Sequence, residues 1–245
     1  MSEEPRPATD AAEVIPAEAD TQVAEPAPEP TRRWVSPFWV AVALLALLAL
    51  LTAGWLGWQL VGTNLIAKGQ LADELTALRS QWDQAAADAE ASPAGKPEPG
   101  KAAWILRIPA LGDDWEWPIV AGVAEQDLQH GVGWYPETAL PGQVGNFAVA
   151  GHRIGHGEPF RRMLELQRGD QIIVETRAAR YIYELTLAPA ELTVQETDGW
   201  VLEPVPGAPG QPPGKALLTL TTAEDLIATP DRSVAFGELV RAEPK

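Results

Sequence analysis

Tyr181-Ile182-Tyr183-Glu184-Leu185-Thr186-Leu187-Ala188 reads as a β-strand, and the fold class follows from it. Tyr181, Tyr183, Leu185 and Leu187 recur at every second position. Successive side chains of an extended chain point to opposite faces, so these four share one face and can pack against a core. Moving outward, further short β-type runs fall at 104–108, 115–120, 146–150, 171–175, 216–221 and 233–240, separated by Gly and Pro. Many short strands with turns between them predict a barrel or a sandwich. Two pieces within this region read as helical. Residues 125–130 could form one turn, and residues 159–166 carry Phe160, Met163, Leu164 and Leu166 at helix-compatible spacing before Gly169 stops them. The expected fold is mainly β with one or two short helices.

Ahead of this region the composition changes three times. Residues 1–31 are dominated by Ala, Pro and Glu without an aromatic residue, too little apolar surface to offset the entropy of ordering a chain. Residues 34–67 carry no charge, and 38–60 are long enough to cross roughly 30 Å of hydrocarbon as a helix. Trp34, Trp39, Trp55 and Trp58 suit the two interfaces, and Arg32 and Arg33 just ahead argue for an inside N-terminus. The alternative is a cleaved signal peptide, but its apolar stretch is usually about 7 to 15 residues and follows a short basic segment, not a long acidic tail. Leu71, Leu75 and Leu78 then recur at helical spacing, so 69–87 reads as a juxtamembrane stalk helix, and 91–100 as a Pro/Gly linker. The expected organisation is a disordered, acidic, cytoplasmic tail (1–33), a single transmembrane anchor (34–67), a juxtamembrane helix and linker (68–101), and an extracytoplasmic β domain (102–245).

The net charge of −16, much of it in the tail, and the lack of a Lys/Arg run exclude a nucleic-acid partner. The three histidines, His130, His152 and His156, show no metal-ligand spacing with acidic residues along the chain, so neither a metal nor a cofactor is expected. On composition alone, a His beside a strand end is a hydrogen-bonding surface residue, and Arg232 after Pro230-Asp231 could simply cap a turn. The chain contains no cysteine.

Three segments in order resemble the sortase family of cell-wall transpeptidases, most nearly its class E branch. Gly145-Asn146-Phe147-Ala148-Val149-Ala150-Gly151-His152-Arg153, followed by Gly157-Glu158-Pro159-Phe160, is similar to the strand that ends in the family's catalytic histidine. Thr219-Leu220-Thr221-Thr222-Ala223 resembles the T-L-x-T-C strand end, and Pro230-Asp231-Arg232-Ser233-Val234 the segment with the catalytic arginine. Ile108-Pro109 and Tyr135-Pro136-Glu137-Thr138-Ala139-Leu140-Pro141-Gly142 also read like this branch. The resemblance implies a sortase-type closed β-barrel preceded by one transmembrane helix. It assigns His152 and Arg232 as catalytic residues, Ala223 as the position of the missing nucleophile, and Tyr135, Thr221 and Thr222 as substrate-contacting groove residues. The implied partner is an extended sorting signal of the L-[PA]-x-T-G kind, with an amine of a peptidoglycan precursor or a partner sortase as further candidates.

The chemistry of such a site needs these residue types. A thiolate attacks the carbonyl between Thr and Gly of the signal, giving a thioacyl intermediate that an amine resolves. A histidine can pass the protons, and a guanidinium, always charged, can stabilise the oxyanion or hold the substrate backbone. Here an alanine stands at the nucleophile's position, and Glu224-Asp225-Leu226-Ile227 after it also departs from the family pattern, adding negative charge beside the site. Thr222 is a poor substitute nucleophile, because neighbours in a strand point to opposite faces. Three readings follow: a catalytically silent sortase-like binding module, an active class E sortase carrying a Cys-to-Ala change, and a purely structural extracytoplasmic domain.

Overall fold

The computed structural model describes residues 36–58, 63–87, 96–223 and 229–245. The acidic tail, Trp34, residues 91–95 of the linker reading and the run 224–227 lie outside the described residues.

Helix α1 (Pro37–Gly57) holds 21 residues. At about 1.5 Å per residue it reaches about 30 Å, the thickness of a bilayer core. Its segment Pro37–Trp55 is long and apolar enough to cross a membrane, with a mean hydropathy of 2.2. Helix α2 (Thr63–Ala87) starts earlier than the leucine spacing predicts. It is also more than a free stalk: Leu75 and Leu78 are buried with Ile105 of strand β1 (Ala102–Arg107). Arg79 Nη2 donates to Glu116 at 2.7 Å at the same contact.

The domain that follows is built from β1, β2 (Glu116–Ala121), β3 (Val132–Trp134), β4 (Gly145–Ala150), β5 (Gln171–Glu175), β6 (Ala179–Leu187), β7 (Thr193–Gln195), β8 (Ala216–Ala223) and β9 (Asp231–Pro244). Eight of them run in the order β6-β5-β1-β2-β3-β4-β8-β9, and β9 pairs back onto β6 to close the barrel. Closure removes the unpaired edges that an open sheet would expose. Strand β9 makes this possible by its length. Its first half, 232–238, pairs with β8, its later part, 236–244, with β6, and short β7 adds to its outer start. The pairs β2–β3 and β4–β8 are parallel and the others antiparallel.

Trp104 anchors the core, with its ring edge-on to Trp134 and Phe147 at centroid distances of 5.2 and 5.6 Å. The alternation in β6 puts Tyr183 and Leu185 inside, with Tyr181 half-buried. Ile182 is buried as well, and the β6–β9 register shifts between Ile182 and Tyr183. The two inner helical readings shrink. Residues Glu125–Leu128 form a single turn, α3. Within 159–166 only Met163–Glu165 is helical, as a 3-10 turn. Phe160, Met163 and Leu166 are all buried at intervals of three, and the backbone N–H groups of Met163 and Leu166 donate to the carbonyls three residues earlier. A 3-10 turn, with three residues per turn, keeps that face inward better than an α-helix would.

Candidate active site

Parallel strands β4 and β8 deliver the site. They run side by side from Gly145↔Ala216 to Ala150↔Thr221, and Gly151 N–H continues the pairing by donating to Thr221 O at 3.1 Å. Only a glycine fits at 151, because a Cβ there would stand 2.7 Å from the Phe160 ring. Phe160 N–H in turn donates to the His152 carbonyl at 2.9 Å. These two constraints turn the chain at the strand end and fix His152 there.

The His152 side chain is one-fifth exposed, and its Nε2 is buried without a hydrogen-bond partner. Burial pushes the imidazole pKa below its ordinary value; the Glu125 carboxylate opposes this, and nearby His156 adds to it. His152 is therefore neutral at pH 7, with one ring nitrogen able to accept a proton.

Strand β9 brings the arginine to the same end of the barrel. Its Arg232 pairs with Ala223 of β8 on one side and Val194 of β7 on the other. Its guanidinium is held at both terminal nitrogens: Nη1 donates to Thr229 O at 2.7 Å, and Nη2 to Glu196 Oε2 at 2.7 Å.

Between them lies a cavity of about 590 Å³, within the usual range of ligand-binding clefts, lined by Tyr135, His152, Thr221, Thr222 and Arg232. Tyr135 Oη and Thr221 Oγ1 are 3.3 Å apart. The Thr222 hydroxyl donates to Gly151 O at 2.8 Å, which commits it to the backbone. The lining also includes Val201 and Leu202 of the 3-10 turn Gly199–Leu202. A buried amide holds that turn. Asn146 Nδ2 donates to Val201 O and Glu203 O at 3.0 and 3.1 Å, and Thr219 Oγ1 donates to Asn146 Oδ1 at 2.7 Å.

His152, Arg232, Tyr135, Thr221 and Thr222, singled out in the sequence, thus line one cavity, and Ala223 stands at the β8 end in register with Arg232. Three other residues carried no sequence signal. Glu196 holds Arg232, while Glu125 and His156 gather round His152 with ligand atoms within 4.8 Å of one another. The linear spacing excluded such a cluster; the fold forms it. His130 lies elsewhere, with Nδ1 3.1 Å from Glu74 Oε1.

Residues 106–240 match the family model described as a Sortase domain. The chain is 36% identical over 197 residues to Sortase SrtE1 of Streptomyces coelicolor, covering 77% of this chain and 53% of that protein, so it spans about half the relative's length. The structure of sortase E from Streptomyces avermitilis is similar with a TM-score of 0.55 at 33% identity, over 60% of this chain and 93% of that one. Sortase E1 from Streptomyces coelicolor, solved with a tripeptide in its active site, gives a TM-score of 0.52 at 35% identity, over 60% and 92%.

Proposed function

The chain belongs to the sortase family, and on that premise we propose that it is a membrane-anchored, class E-like member that receives an extended sorting signal in the cavity between His152 and Arg232 and does not cleave it. The observation that carries this reading is the strand end of β8. Ala223 occupies the position that the family resemblance gives to the nucleophilic cysteine, it is in register with Arg232, and no cysteine exists anywhere in the chain. An alanine methyl cannot form a thioacyl bond, and losing the nucleophile of a triad-type enzyme lowers kcat on the order of 10⁶-fold.

What survives suits binding. Tyr135, Thr221 and Arg232 offer hydrogen-bonding groups in the cavity lining, and Val201 and Leu202 add apolar surface to it. An extended peptide needs only backbone partners and side-chain pockets, so affinity can outlast chemistry. The anchor is α1, and the bound partner is a peptide of the L-[PA]-x-T-G kind.

A second reading is favoured by one observation: His152 and Arg232 still face the same cavity. On this reading the chain is an active transpeptidase whose cysteine has been replaced by Ala223. The test uses the full chain in detergent, because truncating before β1 would uncover Ile105, and an L-A-x-T-G reporter peptide. Binding without cleavage by the parent is expected. Cleavage by Ala223→Cys would show a silenced transpeptidase. Binding without cleavage by that variant would favour the binding module, and no binding by either would leave only a structural domain. Turnover by the parent would refute the reading.

A further inference from the structure

We propose that Glu125, His152 and His156 form a three-ligand site for a divalent transition metal of the Zn²⁺ class at the mouth of the cavity. Glu125 Oε1 lies 3.9 Å from His152 Nε2 and 3.8 Å from His156 Nε2. All three ligand atoms fall within 4.8 Å of one another, and the two imidazole rings are 5.0 Å apart, tilted by 38°. These separations are too long for hydrogen bonds, which run to about 3.2 Å, so the three groups do not satisfy one another. A tetrahedral ion with ligands at about 2.0–2.1 Å needs neighbouring donors about 3.3 Å apart. The two separations from Glu125 are therefore about half an ångström wider than in a closed tetrahedral site.

Each ligand comes from a segment that suits the role. His152 is set by the β4 end, and its Nε2 is buried and aims at the cluster without a hydrogen-bond partner. His156 is presented on a tight loop, in the left-handed region at φ 49° between Gly155 and Gly157 at φ 73° and 83°. Glu125 opens α3 with a side chain 71% exposed, so its carboxylate is free to close its own distances to the two imidazoles. Two imidazoles and one carboxylate match borderline ions such as Zn²⁺, Co²⁺ or Ni²⁺, whereas Ca²⁺ and Mg²⁺ prefer oxygen donors throughout. Among the described residues the protein supplies three donors, leaving the fourth position for water or an incoming group, as in open zinc sites.

The consequence for the cavity is direct. A metal on His152 Nε2 occupies the lone pair that would otherwise take a proton, and the ion stands where a peptide would meet His152. Metal and peptide therefore compete, each weakening the other's binding by the same factor.

The site is tested on the full chain in detergent, free of any histidine tag and stripped with chelator, by calorimetric titration with Zn²⁺ alone. No peptide is needed, so the result is separable from the reading of the cavity as a peptide site. Saturable binding of about one Zn²⁺ per chain is expected, with Co²⁺ giving a tetrahedral d–d spectrum. Even outer-shell partners of a metal are worth about 10- to 100-fold in affinity, so His156→Ala and Glu125→Gln should each weaken binding at least that much. His130→Ala, which removes a histidine outside the cluster, should bind as the parent does. Because Glu125 is exposed, Glu125→Gln keeps the fold and decides the matter even if His156→Ala is unstable. No saturable binding, parent-like affinity in Glu125→Gln, or loss of binding in His130→Ala would overturn the proposal.

Discussion

Replacing Asn146 with alanine tests whether a buried amide holds the cavity wall in place. Asn146 is 1% exposed and Thr219 is fully buried. The substitution removes two donations, to Val201 O and Glu203 O at 3.0 and 3.1 Å, and the acceptor of the Thr219 hydroxyl at 2.7 Å. The Thr219 hydroxyl keeps a longer bond to Val201 O at 3.2 Å, so it is not left wholly unsatisfied. Three hydrogen bonds at a net value of about 0.5–1.5 kcal/mol each give a loss of about 2–4 kcal/mol, the upper end applying if the carbonyls find no water. The assay is urea unfolding of the full chain in detergent, read as a shift in midpoint at unchanged slope. Thr219→Val, which removes one donor at nearly constant shape, should lose about 1–2 kcal/mol, and the double variant less than the sum, because the two residues share one network. Since the 3-10 turn Gly199–Leu202 carries Val201 and Leu202 into the cavity, peptide affinity should fall with stability. A loss below about 1 kcal/mol for Asn146→Ala, or full additivity, would refute the reasoning.

Two further outcomes follow from the ion pairs. Burial pushes the Glu175 carboxyl up, but Lys245 at 2.7 Å and Arg180 at 3.4 Å outweigh it and hold its pKa below the usual value. A depressed carboxyl contributes stability above its unfolded pKa of about 4.3 and loses it as pH falls through the folded value. Lys245→Ala should therefore destabilise the barrel by about 1–3 kcal/mol at pH 7, with the gap narrowing below about pH 4 in matched urea titrations; a gap independent of pH would count against it. Glu196→Gln should leave stability within about 1 kcal/mol, since the Glu196 side chain is 56% exposed. Freeing Arg232 Nη2 should tighten reporter binding by up to about fivefold in fluorescence anisotropy. Weaker binding would mean that Arg232 does not meet the peptide.

The sequence carried the barrel because period-two alternation survives in strands of five or more residues, as in β6. It missed β3 and β7, whose three residues are too few to show a period. It also lengthened 159–166 into a helix, because spacings of three and four look alike over eight positions. The site divides in the same way. His152, Thr221, Thr222 and Arg232 sit at strand ends within contiguous motifs, so each is legible locally. Glu125, His156 and Glu196 acquire their meaning only through α3, the loop after β4 and the β7–β9 pairing. None of those contacts leaves a trace in spacing along the chain.

The proposed loss of chemistry also bears on why the cavity persists. A buried imidazole nitrogen without a partner costs about 1–3 kcal/mol, a large share of a domain's marginal stability. The left-handed φ of His156 and Glu158 adds strain in the same loop. A domain kept only as a spacer would gain by relaxing both, for instance through a hydrogen-bonding neighbour at His152. On the proposed reading, in which Ala223 leaves the site without a nucleophile, the chemistry that would reward a poised, neutral His152 is gone. Two uses for the unpartnered lone pair are left on that reading: meeting a bound peptide, and ligating a metal. Both require Nε2 to stay unpartnered in the empty cavity, and both are lost in His152→Gln. Only the second depends on Glu125 and His156, so these two residues separate a peptide-binding relic from a site with a ligand of its own.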